Sequence, residues 1–185
     1  MRLSNEQKLN WLSIQRFSIF LYLTSGVLLL IYALGFISNE YLFYTYGGKG
    51  LEDFYHEMQI VNVSFLWKAV FAVIFSLFLF LLELGKHPAG FFTLIIVCLI
   101  AFFSVFFCID SILILSDVKQ QYSSLDFGSL SRYIERGTIN YEYSTLTFDL
   151  GLAGYTLFLS AALFMAVTVI RNAFKVNVKA EGGGK

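Results

Sequence analysis

Apolar residues along this chain fall into four long blocks set between shorter polar stretches, and within the blocks they do not alternate. Residues 17–37, 63–82, 91–115 and 150–170 are almost continuously apolar, the third reading FFTLIIVCLIAFFSVFFCIDSILIL. About 20 apolar residues are needed to cross ~30 Å of hydrocarbon as a helix, and every block reaches that length. A segment apolar on all sides has no face to give to water. In lipid, a helix also satisfies its own backbone N–H and C=O groups. The pattern therefore predicts an all-α integral membrane protein: an antiparallel four-transmembrane-helix bundle with two extended extracytoplasmic loops.

The polar stretches complete the plan. A lead of 16 residues precedes the first span, with no small-residue cleavage site, so that span reads as a permanent helix. ELGKHPAG, residues 83–90, makes a tight turn in which Gly85 and Pro88 stop one helix and start the next. That turn makes the second and third helices antiparallel neighbours. The outer loops are expected over 38–62 and 116–148. Residues 1–176 form one membrane domain, and 177–185, with Gly182-Gly183-Gly184, a flexible tail. Within the first loop, LEDFYHEMQIV reads as an amphipathic helix lying on the membrane, with Leu51, Phe54, Tyr55 and Met58 apolar. In the second, SLSRYIERG reads as a helical turn and INYEYSTLTF as strand-like.

Composition agrees with the pattern: 57% of residues are hydrophobic and 14% charged, against about 45–50% and about 25% in soluble domains. Net charge is zero, but its distribution is uneven. The side of the termini carries Arg2, Lys8, Arg16, Lys86, Arg171, Lys175, Lys179 and Lys185 against three acids. The two outer loops carry Lys49, Lys119, Arg132 and Arg136 against eight acids. By the positive-inside rule both termini and the 83–90 turn face the cytoplasm, with a plasma or inner membrane as the expected location. Eight of the eleven tyrosines fall in the outer loops, as headgroup anchors or as a recognition surface.

Small and weakly polar residues recur at steps of 3 and 4, the spacing of helix–helix contacts in lipid. The stripes are Ser18, Tyr22, Ser25, Leu29 and Tyr32; Ser64, Lys68, Ala72 and Ser76; Thr93, Val97, Ala101, Ser104, Cys108 and Ser111; and Asp149, Ala153, Thr156 and Ser160, with Gly151 and Gly154 alongside. Lys68 thus lies on the inward stripe of its helix. At 1.5 Å per residue it sits about 6 Å outward of the bilayer midplane and Asp110 about 12 Å outward. Side chains lean toward a helix N-terminus, so on antiparallel helices these two lean toward each other. Asp110 is the favoured counter-ion although it lies about 100° off its own stripe. Asp149 is the second choice, since capping and the helix dipole already account for a carboxylate there.

Such a charge pair has a structural reading, locking two helices or docking a subunit, and a ligand-binding one. In the second, Lys68 would bind an anion or headgroup in an outward-facing pocket, with Tyr22, Ser25, Tyr32 and Ser64 as polar groups. Catalytic parts are missing. The blocks hold no histidine, and the chain has no HExxH motif or Ser/His/Asp set. Gly47-Gly48-Lys49-Gly50 lacks the P-loop spacing and its Ser/Thr. Glu52 and His56, one turn apart, would need further ligands to hold a metal, and His87 lies across the membrane. Cys98 and Cys108 stand ten residues apart on one helix, and the outer loops hold no cysteine, unlike those of tetraspanins and claudins. The sequon at Asn62 lies too near the membrane for glycosylation. The expectation is therefore a non-catalytic accessory or assembly subunit. Its partners would be the lipid bilayer and other integral membrane subunits or further copies of itself, with no metal, cofactor or nucleic acid. The alternative is a small transporter or ligand- or lipid-binding protein built around Lys68.

Overall fold

The computed structural model describes residues 5–44, 49–82, 90–124 and 145–181. They form four helices: α1 (Asn5–Tyr44), α2 (Lys49–Leu81), α3 (Phe91–Ser123) and α4 (Leu146–Glu181). Each contains a stretch long and apolar enough to cross a membrane: Trp11–Gly35, Glu57–Leu81, Phe91–Ser123 and Leu146–Phe174. Their exposed positions are Phe, Leu, Ile, Val and Trp along most of each span, including Phe17, Phe20, Trp67, Phe102 and Leu163. Such a surface suits lipid rather than water.

The helices outrun the apolar blocks, and this redraws the expected loops. Most of the outer loop expected at 38–62 is helix, because α1 runs on to Tyr44 and α2 begins at Lys49. LEDFYHEMQIV is thus no separate helix lying on a membrane. It is the first part of α2, with Phe54 and Met58 buried against the rest of the protein. Phe54 meets Tyr122 at a centroid distance of 5.7 Å, and Tyr122 meets Phe148 at 5.2 Å. Apolar side chains at helical spacing find a better partner in neighbouring helices than in headgroups, so the periodicity was real and its partner differs. Likewise α3 continues to Ser123, and Leu146–Phe148 form the first turn of α4 rather than the end of a strand. Residues 177–181 of the expected tail continue α4. The inner turn at 83–89, SLSRYIERG and most of INYEYSTLTF lie outside the described residues.

α1 packs along both α2 and α4, and α4 along α3, whereas α2 and α3 meet sparingly. Contacts give the directions. On α1 and α4, Ser18 meets Thr168 and Gln15 meets Asn172 at one end, while Leu29 and Tyr32 approach Gly154 and Gly151 toward the other. These helices therefore run antiparallel. α2 and α3 also run antiparallel, Lys68 facing Asp110 and Phe71 facing Phe107. The turn expected at 83–90 makes α2 and α3 antiparallel neighbours; they are neighbours that pack sparingly, with Phe71 and Phe107 meeting at 6.4 Å between ring centroids.

Glycine sets the closest approaches. A Cβ on Gly151 would overlap the Tyr32 hydroxyl, and one on Gly26 would lie 3.4 Å from Ser76 Oγ and 3.5 Å from a Phe158 ring carbon. The ring of Tyr22 stacks on Phe158 at 4.8 Å near this crossing. Three of the four small-residue stripes face inward in whole or large part: Ser18, Tyr22, Ser25 and Leu29 are buried on α1, Ala72 and Ser76 on α2, and Val97 through Ser111 on α3. The fourth does not. Asp149, Ala153, Thr156 and Ser160 are exposed, and α4 turns Gly151, Tyr155, Phe158, Ala162 and Met165 to the core. The Thr156 and Ser160 hydroxyls donate to the carbonyls of Leu152 (2.7 Å) and Thr156 (2.9 Å). Satisfied within their own helix, they need no partner across an interface. The larger apolar side chains fill the core instead.

Candidate functional site

Lys68 stands at the edge of the buried face of α2, whose inward positions are Asn62, Phe65, Ala69, Ala72, Ser76 and Leu79. Its ammonium donates to an Asp110 carboxylate oxygen and lies 5.7 Å from the centroid of the Phe65 ring. The lysine side chain is 13% exposed and that of Asp110 is 45% exposed. One partner of the pair is therefore enclosed and the other reaches the surface along the α2/α3 seam. The one-position offset of Asp110 from the inward stripe, where Ser111 is fully buried, produces this arrangement.

Behind the pair lies a layer of polar groups drawn from all four helices. Phe65 packs on Tyr155 at 5.7 Å, and the Tyr155 hydroxyl lies within electrostatic reach of both Asp110 and Ser111. Tyr32 of α1 is an electrostatic neighbour of Tyr155. The hydroxyls of Ser111 and Tyr155 approach each other without a hydrogen bond of standard geometry, and both amide atoms of the buried Asn62 also lack one. Buried polar groups in this state are ordinarily met by water. Burial of Asn62 in a helix also removes the sequon side chain from any modifying enzyme.

The remaining candidates are placed elsewhere. Asp149 does not reach Lys68: its carboxylate takes a hydrogen bond from Lys119 of α3 and another, at 2.9 Å, from the Thr145 hydroxyl. It lies in the first turn of α4 without being the cap, since its N–H already donates to the Thr145 carbonyl at 3.0 Å. Tyr22 hydrogen-bonds Ser104 at 2.6 Å, and Ser25 donates to the Tyr22 carbonyl at 2.9 Å. Ser104 is six residues from Asp110, about 9 Å along α3, so these hydroxyls belong to the middle of the core. Ser64 is half-buried on α2 one turn from Lys68, and Tyr32 lies over Gly151. Among the described residues, no three His, Cys, Asp or Glu side chains come together as a metal site.

A second polar arrangement, at the α1/α4 end away from the ion pair, escaped sequence reasoning. Gln15 and Asn172 are buried and hydrogen-bonded to each other, and Asn172 also donates to the Trp11 carbonyl at 3.4 Å. One turn deeper, Ser18 and Thr168 share a hydrogen bond of 2.8 Å. The signal was present, because 15/18 and 168/172 step by 3 and 4, but Gln15 and Asn172 fall just outside the apolar blocks. No protein-family model, curated protein or solved structure matches this chain.

Proposed function

We propose that this chain is a non-catalytic accessory or assembly subunit of a membrane protein complex, docking through the α2/α3 seam. In this reading the four spans form an antiparallel bundle whose termini face the cytoplasm, as the excess of lysine and arginine on that side favours. The observation that carries the reading is the half-exposed carboxylate of Asp110, set among the exposed side chains of Phe106, Ile109 and Leu113. An ionisable group within an apolar span is costly where it faces lipid and characteristically turns toward protein or water. Lys68 answers only part of that carboxylate. A polar or cationic group on a neighbouring subunit would complete it, and the sparse packing of α2 on α3 leaves room for one. The competing reading, an anion pocket centred on Lys68, finds less support, since the ammonium already has Asp110.

The test replaces both charges at once. Exchange of a buried ion pair for apolar residues of similar volume is often neutral for folding, so Lys68→Met/Asp110→Leu should keep the native fold while losing its polar docking point. Affinity purification from native membranes in mild detergent should bring down a stoichiometric membrane partner with the wild type and little or none with the double variant. An unchanged partner, or a wild type that purifies alone and is stabilised by an added anion in a Lys68-dependent way, would overturn the proposal in favour of the pocket.

A further inference from the structure

On the α1/α4 side, at the end carrying Gln15 and Asn172, a groove of about 780 Å³ opens sideways between the helices. Its walls are Ile14 and Phe17 of α1 and Phe164 and Val167 of α4, and its floor includes Thr168. Trp11, Ser13 and Arg171 close one end. There the Arg171 guanidinium lies over the Trp11 ring, 3.8 Å from the centroid. The groove is therefore apolar along its length and cationic at its end, the profile of an amphiphile with an anionic head.

Depth agrees with charge. Counted from the centre of the apolar block 150–170, Arg171 lies about 16 Å away at 1.5 Å per residue, and Trp11 lies at the same level against its guanidinium. Half the hydrocarbon thickness is about 15 Å, so both side chains stand at the level of the headgroups and the apolar walls extend inward from them. Tryptophan favours that interface. Stacking occupies the flat face of a guanidinium and leaves its N–H edge to make bidentate hydrogen bonds to phosphate.

We infer that this groove is a binding site for an anionic phospholipid in the leaflet on the side of the termini, with Arg171 and Ser13 at the phosphate and an acyl chain along Phe17, Phe164 and Val167. The site does not rest on the subunit proposal, being on a different pair of helices.

The probe is an equimolar mixture of phosphatidylglycerol and phosphatidylcholine with identical acyl chains, added to the purified full chain in mild detergent and read by native mass spectrometry. The wild type should retain phosphatidylglycerol preferentially. Arg171→Gln should lower the phosphatidylglycerol-to-phosphatidylcholine ratio about five-fold, the weight of one cation near an anionic lipid. Val167→Trp, which fills the groove and leaves the charge, should lower the retained phosphatidylglycerol as well. Both positions are exposed, so neither change disturbs the core. Three results would each overturn the site: an unchanged ratio in Arg171→Gln, full retention in Val167→Trp, or an equal loss in Lys119→Gln at the other end of the bundle. The last two would reduce the effect to general surface charge.

Discussion

The α1/α4 and α2/α3 seams each join two antiparallel helices, yet they are held by opposite means. α1 and α4 approach closely where Gly151 and Gly154 receive Tyr32 and Leu29, and two buried neutral hydrogen-bonded pairs, Gln15 with Asn172 and Ser18 with Thr168, link their other end. α2 and α3 pack sparingly and meet, among the described residues, through the ion pair, with Phe71 and Phe107 at 6.4 Å beside it, and through Phe54 on Tyr122 toward one end. Lipid tails are as apolar as leucine, so apolar burial gives little drive for helices to associate in a membrane, and close packing with hydrogen bonds must supply it. By that measure α1/α4 is the finished interface and α2/α3 the incomplete one. The difference locates where a partner would add most.

Five variants probe that contrast, each read as unfolding free energy in a detergent titration. The largest effect should come from Asp110→Asn, which leaves the enclosed Lys68 ammonium without its counter-charge and should cost about 3 kcal/mol, while Lys68→Met/Asp110→Leu returns to within about 1 kcal/mol of wild type. Failure of the double variant to recover would mean that the pair holds the bundle together rather than marking a docking face. Next, Gly151→Ala sets a methyl group against the ring of Tyr32 and should cost about 1–3 kcal/mol by overpacking. A neutral result would show that Tyr32 swings away freely and that α1/α4 is looser than its geometry implies. Asn172→Leu removes the hydrogen bond that the buried Gln15 side-chain oxygen accepts from Asn172 and should cost about 1–2 kcal/mol. Smallest of all is Lys119→Gln, whose pair with Asp149 is exposed and should contribute nothing measurable. A clear loss there would make the α3/α4 mouth a third fastening.

The sequence carried much of this, unevenly. Lys68 was legible as an inward-turned charge because small residues at i±4 mark its face, and Asp110 could be weighed against Asp149 because rise per residue and side-chain lean place charges in depth. The α4 stripe misled for a physical reason. Thr156 and Ser160 resemble interface residues in spacing, but a hydroxyl that hydrogen-bonds its own helix four residues back suits either face: the buried Ser76 and Ser104 make the same bond, so spacing and residue type do not say which way the stripe turns. Phe54 and Met58 were legible as one apolar face, but not what that face would meet. Gln15 and Asn172 went unread because polar residues near span ends ordinarily face headgroups, and only their mutual contact across α1 and α4 makes them core.

Length and all-round hydrophobicity alone determine that this chain forms four helices able to cross a membrane, because in hydrocarbon the backbone leaves no other solution for segments of that kind. Local spacing adds most of the inward positions on α1, α2 and α3. Only the tertiary structure decides which seams close, for that depends on matching shapes across helices: Gly151 beneath Tyr32, Gly26 beside Ser76 and Phe158, and phenylalanine against phenylalanine between α2 and α3. It alone also decides that Asp110 stays half at the surface while Lys68 is enclosed, since a rotation of one position about α3 separates the two outcomes.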